Sequence, residues 1–314
     1  MKRSAACLAL MLGALMTLAV LAHATASGPN GRIVFKKALG HPALLASVRP
    51  DGSGLRLLPR TSQVADDDPV WSPNGSVIAF ERWPLGPGHG TIFSFRADGT
   101  GLKRLGPAGD DRIFPAWSPD GRRIAYVRSW GGFQNGEIKN SGIYTMNASG
   151  GGTVMVINVS ADRPYSGDAG HPTWSPDGAQ LAFELVNSGS VEPAHAHAVF
   201  VVNADGTGLQ QLTPWSMNAG GRLDWSPDGT KILFRAPAKT DRGNLYTVSP
   251  DGSGLKALTR FPNLVVSAGS FSPDGRWVTF AKSSDLWVMR LDGTGARQLT
   301  HGISVWSPDW GRAK

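Results

Sequence analysis

Trp71-Ser-Pro-Asn-Gly75 recurs along the chain as Trp117-Ser-Pro-Asp-Gly121, Trp174-Ser-Pro-Asp-Gly178, Trp225-Ser-Pro-Asp-Gly229 and Phe271-Ser-Pro-Asp-Gly275. A sixth version, Trp306-Ser-Pro-Asp-Trp-Gly311, stands near the C-terminus. The successive spacings are 46, 57, 51, 46 and 35 residues, the self-similarity expected of a repeat architecture. A second motif alternates with the first: Asp51-Gly-Ser-Gly, Asp98-Gly-Thr-Gly, Asp205-Gly-Thr-Gly, Asp251-Gly-Ser-Gly and Asp292-Gly-Thr-Gly. A degenerate copy, Ala148-Ser-Gly-Gly-Gly-Thr153, fills the one gap. Both motifs are chain reversals. Proline presets φ at a turn's second position, Asp or Asn can bond its own backbone, and Gly accepts positive φ.

Between the turns lie short β-rich runs such as Val77-Ile-Ala-Phe80, Ile124-Ala-Tyr-Val127 and Ile232-Leu-Phe234, each followed by a second run such as Ile92-Phe-Ser-Phe95 or Leu245-Tyr-Thr-Val248. With the strand entering each Trp motif and the one leaving each Asp-Gly turn, every repeat holds four strands. Four-stranded units repeated radially are propeller blades. The expected fold is therefore all-β, a six-bladed β-propeller. The two ends are out of phase with the repeat. Gly31 to Phe35 reads as a second strand with no first, and Ile303 to Trp306 as a first strand with nothing after it. The C-terminal strand is thus expected to close the N-terminal blade.

The rest of the composition bounds the class. The chain has 314 residues with 40 Gly, 22 Pro and 11 Trp, too aromatic and too weakly charged for a disordered chain. Lys2-Arg3, an uncharged apolar run from Ala5 to Ala22 and the sites Ala22-His-Ala24 and Ala24-Thr-Ala26 have the order of a secretory signal peptide. The alternative is an uncleaved anchor, because the run is nearly long enough to span a bilayer. The two cleavage sites favour residues 1–26 as a signal peptide and 27–314 as a single propeller domain, exported to periplasm or medium and not inserted in a membrane. The lone Cys7 falls in the removed segment, which excludes disulfides and thiol chemistry from the mature chain. Without Lys2 and Arg3, 29 basic residues face 24 acids, a mild and dispersed excess that gives no support to nucleic-acid binding.

The repeat [WF]-S-P-[DN]-G followed by D-G-[ST]-G resembles the WD40-like repeats of the TolB six-bladed propeller family, over about residues 31 to 310. The resemblance implies a periplasmic cell-envelope protein that binds a lipoprotein partner in its propeller. A fold alone does not assign an activity, because function resides in sites placed upon it.

Strand order decides which loops share a face. Both turn motifs lie on one side of the disc, and every long, irregular connection lies on the other, where binding residues usually sit. Residues just before each inner strand are expected to ring the channel mouth on that irregular face: Asp67, Asp68, Arg112, His171, Arg222 and His301. Such a mixture of acids, bases and imidazoles suits a polar ligand or a peptide; a merely solvated rim is the alternative. His41, His89, His195 and His197 fall in loops of the same face. In Glu192-Pro-Ala-His195-Ala-His197 an extended backbone would put both imidazoles on one side, a workable pair of metal ligands, with His171 in the same blade. Oligogalacturonate lyases resemble this chain in using a similar propeller with a histidine-bound divalent metal. In them a close His pair directly precedes the S-P-D turn, where this chain keeps only His171. No G-x-S-x-G, P-loop, H-E-x-x-H or EF-hand motif occurs. The reading is therefore a monomeric, non-enzymatic binding module for a protein, peptide or envelope component, with no cofactor. A metal-dependent carbohydrate lyase or hydrolase is the alternative.

Overall fold

Each Trp-Ser-Pro-Asp-Gly turn is built by one serine. Ser72 Oγ accepts the N–H of Val77 at 2.9 Å and donates to Asn74, and Ser118, Ser175, Ser226 and Ser272 repeat this with Arg123, Gln180, Lys231 and Trp277. Gly75, Gly121, Gly178, Gly229 and Gly275 close these turns at φ of 66–72°, a region a Cβ would strain. In the second motif Asp51, Asp98, Asp205, Asp251 and Asp292 accept the N–H two residues on. The two motifs are different solutions to one requirement, a short reversal with its backbone donors satisfied.

The computed structural model describes residues 28–38, 42–59, 63–130, 141–159, 167–187, 195–237, 243–261 and 266–314, with the backbone of a small hairpin, Phe133–Gln134 and Glu137–Ile138. The apolar N-terminal segment, its A-x-A sites and His41 lie outside these residues. Six four-stranded antiparallel sheets form the blades of a propeller. Blade 2 runs Val64–Trp71, Val77–Pro84, Thr91–Arg96 and Lys103–Leu105, innermost strand first. Blades 3 to 6 follow the same order, with inner strands Asp111–Trp117, Gly167–Trp174, Gly220–Trp225 and Val266–Phe271. Blade 1 takes three strands from the N-terminal end, Asn30–Lys37, Leu44–Val48 and Arg56–Leu57. Its inner strand is Val305–Arg312, paired antiparallel with Asn30–Lys37, so the two ends of the propeller close the ring.

The closing strand has a different register from the one its sequence invites. Trp306-Ser-Pro-Asp reads as a sixth turn, yet these residues lie within the strand. Ile33, at the place of Ile78 in blade 2, pairs with Trp310, as Ile78 pairs with Trp71. Trp310 is the buried repeat tryptophan and Trp306 is only half-buried. Gly311 and Arg312, at the place of the other blades' turn, continue the strand, and Arg312 pairs with Asn30. The motif in Trp306-Ser-Pro-Asp coincides with the segment that precedes the repeat tryptophan in other blades: Pro308 aligns with Pro69, Pro115 and Pro172.

Between blades the sheets pack face to face through apolar side chains, such as Ile113 and Val127 against Trp174 and Phe183. Burying aromatic side chains of this size supplies most of the stability of such layers. The turn motifs share one face, where Pro227, Pro273 and Leu291 line a single groove.

Candidate functional site

Every inner strand carries a β-bulge just before its repeat aromatic, tryptophan in five blades and Phe271 in the sixth. The pairing register shifts between Asp67 and Val70, Ile113 and Ala116, Gly170 and Thr173, Gly220 and Asp224, and Ala268 and Phe271, and again in the closing strand. In four blades the bulge holds a non-glycine residue in the left-handed region, three places before the tryptophan: Asp68 (φ 42°), Phe114 (55°), His171 (45°) and Ser307 (47°). In blade 5 Gly221 takes the positive φ one place earlier. Bulges re-aim side chains, and strained φ values held by rigid surroundings concentrate at functional sites. Of these residues, Asp68, Phe114 and His171 face the central channel.

The channel holds a cavity of about 70 Å³ that opens to solvent, lined among others by Asp68, Phe114, His171, Arg222 and Asp309. Of the six residues expected at its mouth, the structure brings Asp68, His171 and Arg222 to the channel wall. Arg112 and His301 are corrections. Arg112 sits two residues ahead of the bulge and turns into the blade, donating from Nε to Asp110 at 2.9 Å and from Nη1 to Tyr126 Oη at 3.0 Å. Phe114 takes the channel position instead. His301 is exposed in the connection before the closing strand, and Asp309 lines the wall in that blade. Asp67 lies beside the channel wall, paired with Lys36 of blade 1. Phe114 and Asp309 were legible only through the x-Pro-x-Trp signature shared by Asp68-Pro69, Phe114-Pro115, His171-Pro172 and Ser307-Pro308.

Two charged groups flank the channel. On one side, Asp66-Asp67-Asp68 divides its work. Asp66 makes a buried bidentate pair with Arg82 at 2.6 and 2.8 Å, Asp67 meets Lys36, and Asp68 faces the channel. Glu81, directly opposite Asp67, is buried; its Oε1 accepts Trp83 Nε1 at 3.0 Å and its Oε2 accepts the Phe114 N–H at 3.1 Å. Burial and then the Asp68 carboxylate push the Asp67 carboxyl up to about 6 against the pull of Lys36. Burial and the same acidic neighbours hold Glu81 well above the ordinary carboxylate range.

Across the channel, His171 and His197 both direct Nδ1 at the buried Glu184, His171 at 3.1 Å, and the Gly221 N–H donates to Glu184 Oε1 at 2.9 Å. Burial alone would raise Glu184, but the two imidazole hydrogen bonds outweigh it and hold the carboxyl well below its ordinary range. His171 stacks on Phe114 with ring centroids 4.0 Å apart. The expected His195–His197 pair does not form as an extended alternation, because His195 precedes the strand at φ 55°. His197 joins His171 instead, through Glu184. Their Nδ1 atoms are engaged by a carboxylate, which fixes both rings in orientation.

Arg222 lies between two acids of the channel lining. Its Nη2 donates to Asp309 Oδ1 at 2.9 Å, and its Nη1 lies 3.9 Å from Asp68 Oδ1. Asp68 Oδ1, Arg222 Nε and the indole N–H groups of Trp71, Trp117 and Trp174 are buried without a hydrogen-bond partner among the described residues. Buried polar atoms are rarely left this way outside sites that receive a ligand or ordered water.

A sequence model of the TolB beta propeller domain family matches residues 91–312. The chain belongs to the TolB propeller family. Among curated relatives, the Tol-Pal system protein TolB of Anaeromyxobacter dehalogenans strain 2CP-C is 28% identical over 217 residues, 63% of this chain and 46% of that protein. The match thus spans about half the length of that relative. TolB from Acinetobacter baumannii superposes with a TM-score of 0.69 at 20% identity, covering 90% of this chain and 67% of the other. An oligogalacturonate lyase in complex with manganese has a TM-score of 0.55 at 12% identity over 88% of this chain and 76% of its own. At that identity the likeness to the lyase is one of fold.

Proposed function

We propose that this TolB-type propeller is an exported, non-enzymatic binding module that receives an extended segment of a protein partner at the channel mouth on its irregular face. The observation that carries the reading is the ring of bulges, which present Asp68, Phe114, His171 and Arg222 to one channel on a rigid frame. Pre-organised polar groups beside an aromatic ring match a peptide backbone and its side chains at low ordering cost. Two of these groups, Asp68 Oδ1 and Arg222 Nε, have open hydrogen-bonding capacity among the described residues. The names of the curated relatives support a partner within a Tol-Pal-type envelope assembly. Lys2-Arg3 and the apolar run support export to periplasm or medium. No helix among the described residues is long and apolar enough to cross a membrane.

The test is capture from envelope extracts with the mature chain as bait, followed by the same capture with H171A, R222M and a turn-face control, D98N. The reading requires a partner that is retained by the control and lost with both channel variants, while circular dichroism stays unchanged. A partner retained by the channel variants and lost with D98N would assign binding to the opposite face.

A further inference from the structure

The basic excess that is dispersed along the sequence is gathered by the fold onto the turn face. Residues 72–77 and their equivalents, residues 49–57 and theirs, and residues 311–314 together carry 14 basic residues against 9 acids. The rest of the chain beyond residue 26 carries 15 against 15. The whole net charge of that part of the chain therefore belongs to the turns and their flanks.

Apolar exposure follows the same turns. Eight large hydrophobic side chains are exposed among the described residues, and six of them directly follow the Asp-Gly motif or its degenerate copy: Leu55, Leu57, Leu102, Val154, Met155 and Leu255. Three of these stand next to an exposed cation, as Leu55-Arg56, Leu102-Lys103 and Leu255-Lys256. Exposed leucines scattered singly need no explanation, but repeated beside cations around one rim they mark a contact surface. They are spread over blades 1, 2, 3 and 5, so a single groove or peptide does not cover them. A plane meets them together.

The chain also enters the propeller through this face. Gly28 N–H donates to the Pro273 carbonyl at 3.2 Å, and Asn30 exchanges two hydrogen bonds with Asp274 at 3.1 and 3.2 Å. The apolar run ends at Ala22, six residues before Gly28. Six residues reach at most about 20 Å, less than the roughly 26 Å of an eight-residue strand. While the apolar run is held in a bilayer, the turn face is the one that meets it.

We infer that the turn face is a docking surface for a bilayer rich in anionic lipid, whose headgroups meet the basic residues while the leucines enter the interface. A nucleic acid would pair with the cations and leave the leucines in water. Docking by this face turns the channel mouth toward the aqueous side, and it does not depend on the peptide reading.

The experiment is cosedimentation of the mature chain with phosphatidylcholine vesicles, with and without phosphatidylglycerol, at low and high salt. Binding should be about tenfold or more tighter to the anionic vesicles and should weaken with salt. K103E/K256E should weaken it about tenfold, and L102Q/L255Q about fivefold, with circular dichroism unchanged. L85Q, an equally exposed leucine on the irregular face, should leave binding unchanged. No binding to anionic vesicles at low salt overturns the inference. So does binding that the charge reversals abolish and L102Q/L255Q leaves intact, which would make the face a site for any polyanion, nucleic acid included.

Discussion

Asp309 Oδ2 accepts the backbone N–H of Trp71 at 2.8 Å, joining the closing strand of blade 1 to the inner strand of blade 2. The same link recurs around the ring one residue before the repeat aromatic: Asp224 accepts the Phe271 N–H at 2.7 Å, and Ser270 Oγ accepts that of Trp310 at 2.7 Å. Asp309 also holds Arg222 from across the channel. Burial keeps its carboxyl above the ordinary range despite that guanidinium, so the ion pair itself adds little. The larger effect comes from what its removal leaves behind.

D309A leaves a buried guanidinium and a backbone N–H without their acceptor. Breaking a buried pair this way costs about 3–5 kcal/mol, a fall on the order of 10 °C in melting temperature for a chain of this size. D309N has one carbonyl oxygen where the two donors now use different oxygens, so it keeps an acceptor for only one of them and should lose less than D309A. Thermal melts of the two variants check the ranking; equal losses would mean that charge, rather than the Trp71 contact, governs the seam.

Trp310 rather than Trp306 fills the repeat position, so the two indoles should differ sharply in worth. W310A removes a side chain that is 4% exposed, at a cost of about 3–5 kcal/mol. W306A removes a half-buried one and should cost about 1 kcal/mol or less. Denaturant unfolding of both variants measures this. A larger loss for W306A would restore the register that the bare pentapeptide invites.

The fold was legible because its information is local and repeated. Pro, Asp and Gly in each turn fix a reversal whatever the rest of the chain does, and Ser72 and its equivalents complete it within five residues. The closing strand was misread in register because Trp306-Ser-Pro-Asp imitates the motif while its backbone is held by a partner strand distant in sequence. The channel wall was only half legible for a related reason. Counting back from each turn found Asp68, His171 and Arg222, but a bulge reverses the alternation of side chains. Arg112 therefore points into its blade, and Phe114 reaches the channel. The Glu184 bridge between His171 and His197 joins neighbouring strands through their pairing register, which no single segment displays.

Glu184 makes stability depend on pH in acid. Its folded carboxyl lies below the ordinary 4.5, so on acidification the unfolded chain takes up the proton first. The stabilisation is fully present above about 4.5 and is lost as pH falls below it. E184Q removes the group and hence this dependence. The gap in melting temperature between wild type and E184Q should shrink between about pH 5 and pH 3. A gap that stays constant would show that the two imidazoles do not hold the carboxylate charged.

Ser307 offers a test of the bulge strain away from the polar groups of the site. It holds φ 47° on the closing strand, at the place taken by Asp68, Phe114 and His171 in other blades. A left-handed non-glycine residue costs roughly 1–2 kcal/mol, and glycine removes that cost. Glycine also gains freedom in the unfolded chain, worth about 0.4–1 kcal/mol against the fold. The strain is the larger quantity, so S307G should stabilise the propeller by roughly 0.5–1 kcal/mol, a rise of about 1–4 °C. His171→Gly relieves the same φ but also removes the Phe114 stacking and the Glu184 hydrogen bond, so it should destabilise. Differential scanning calorimetry of the two variants separates backbone strain from side-chain contact. A melting temperature for S307G below that of wild type would show that the bulge is not strained at that blade.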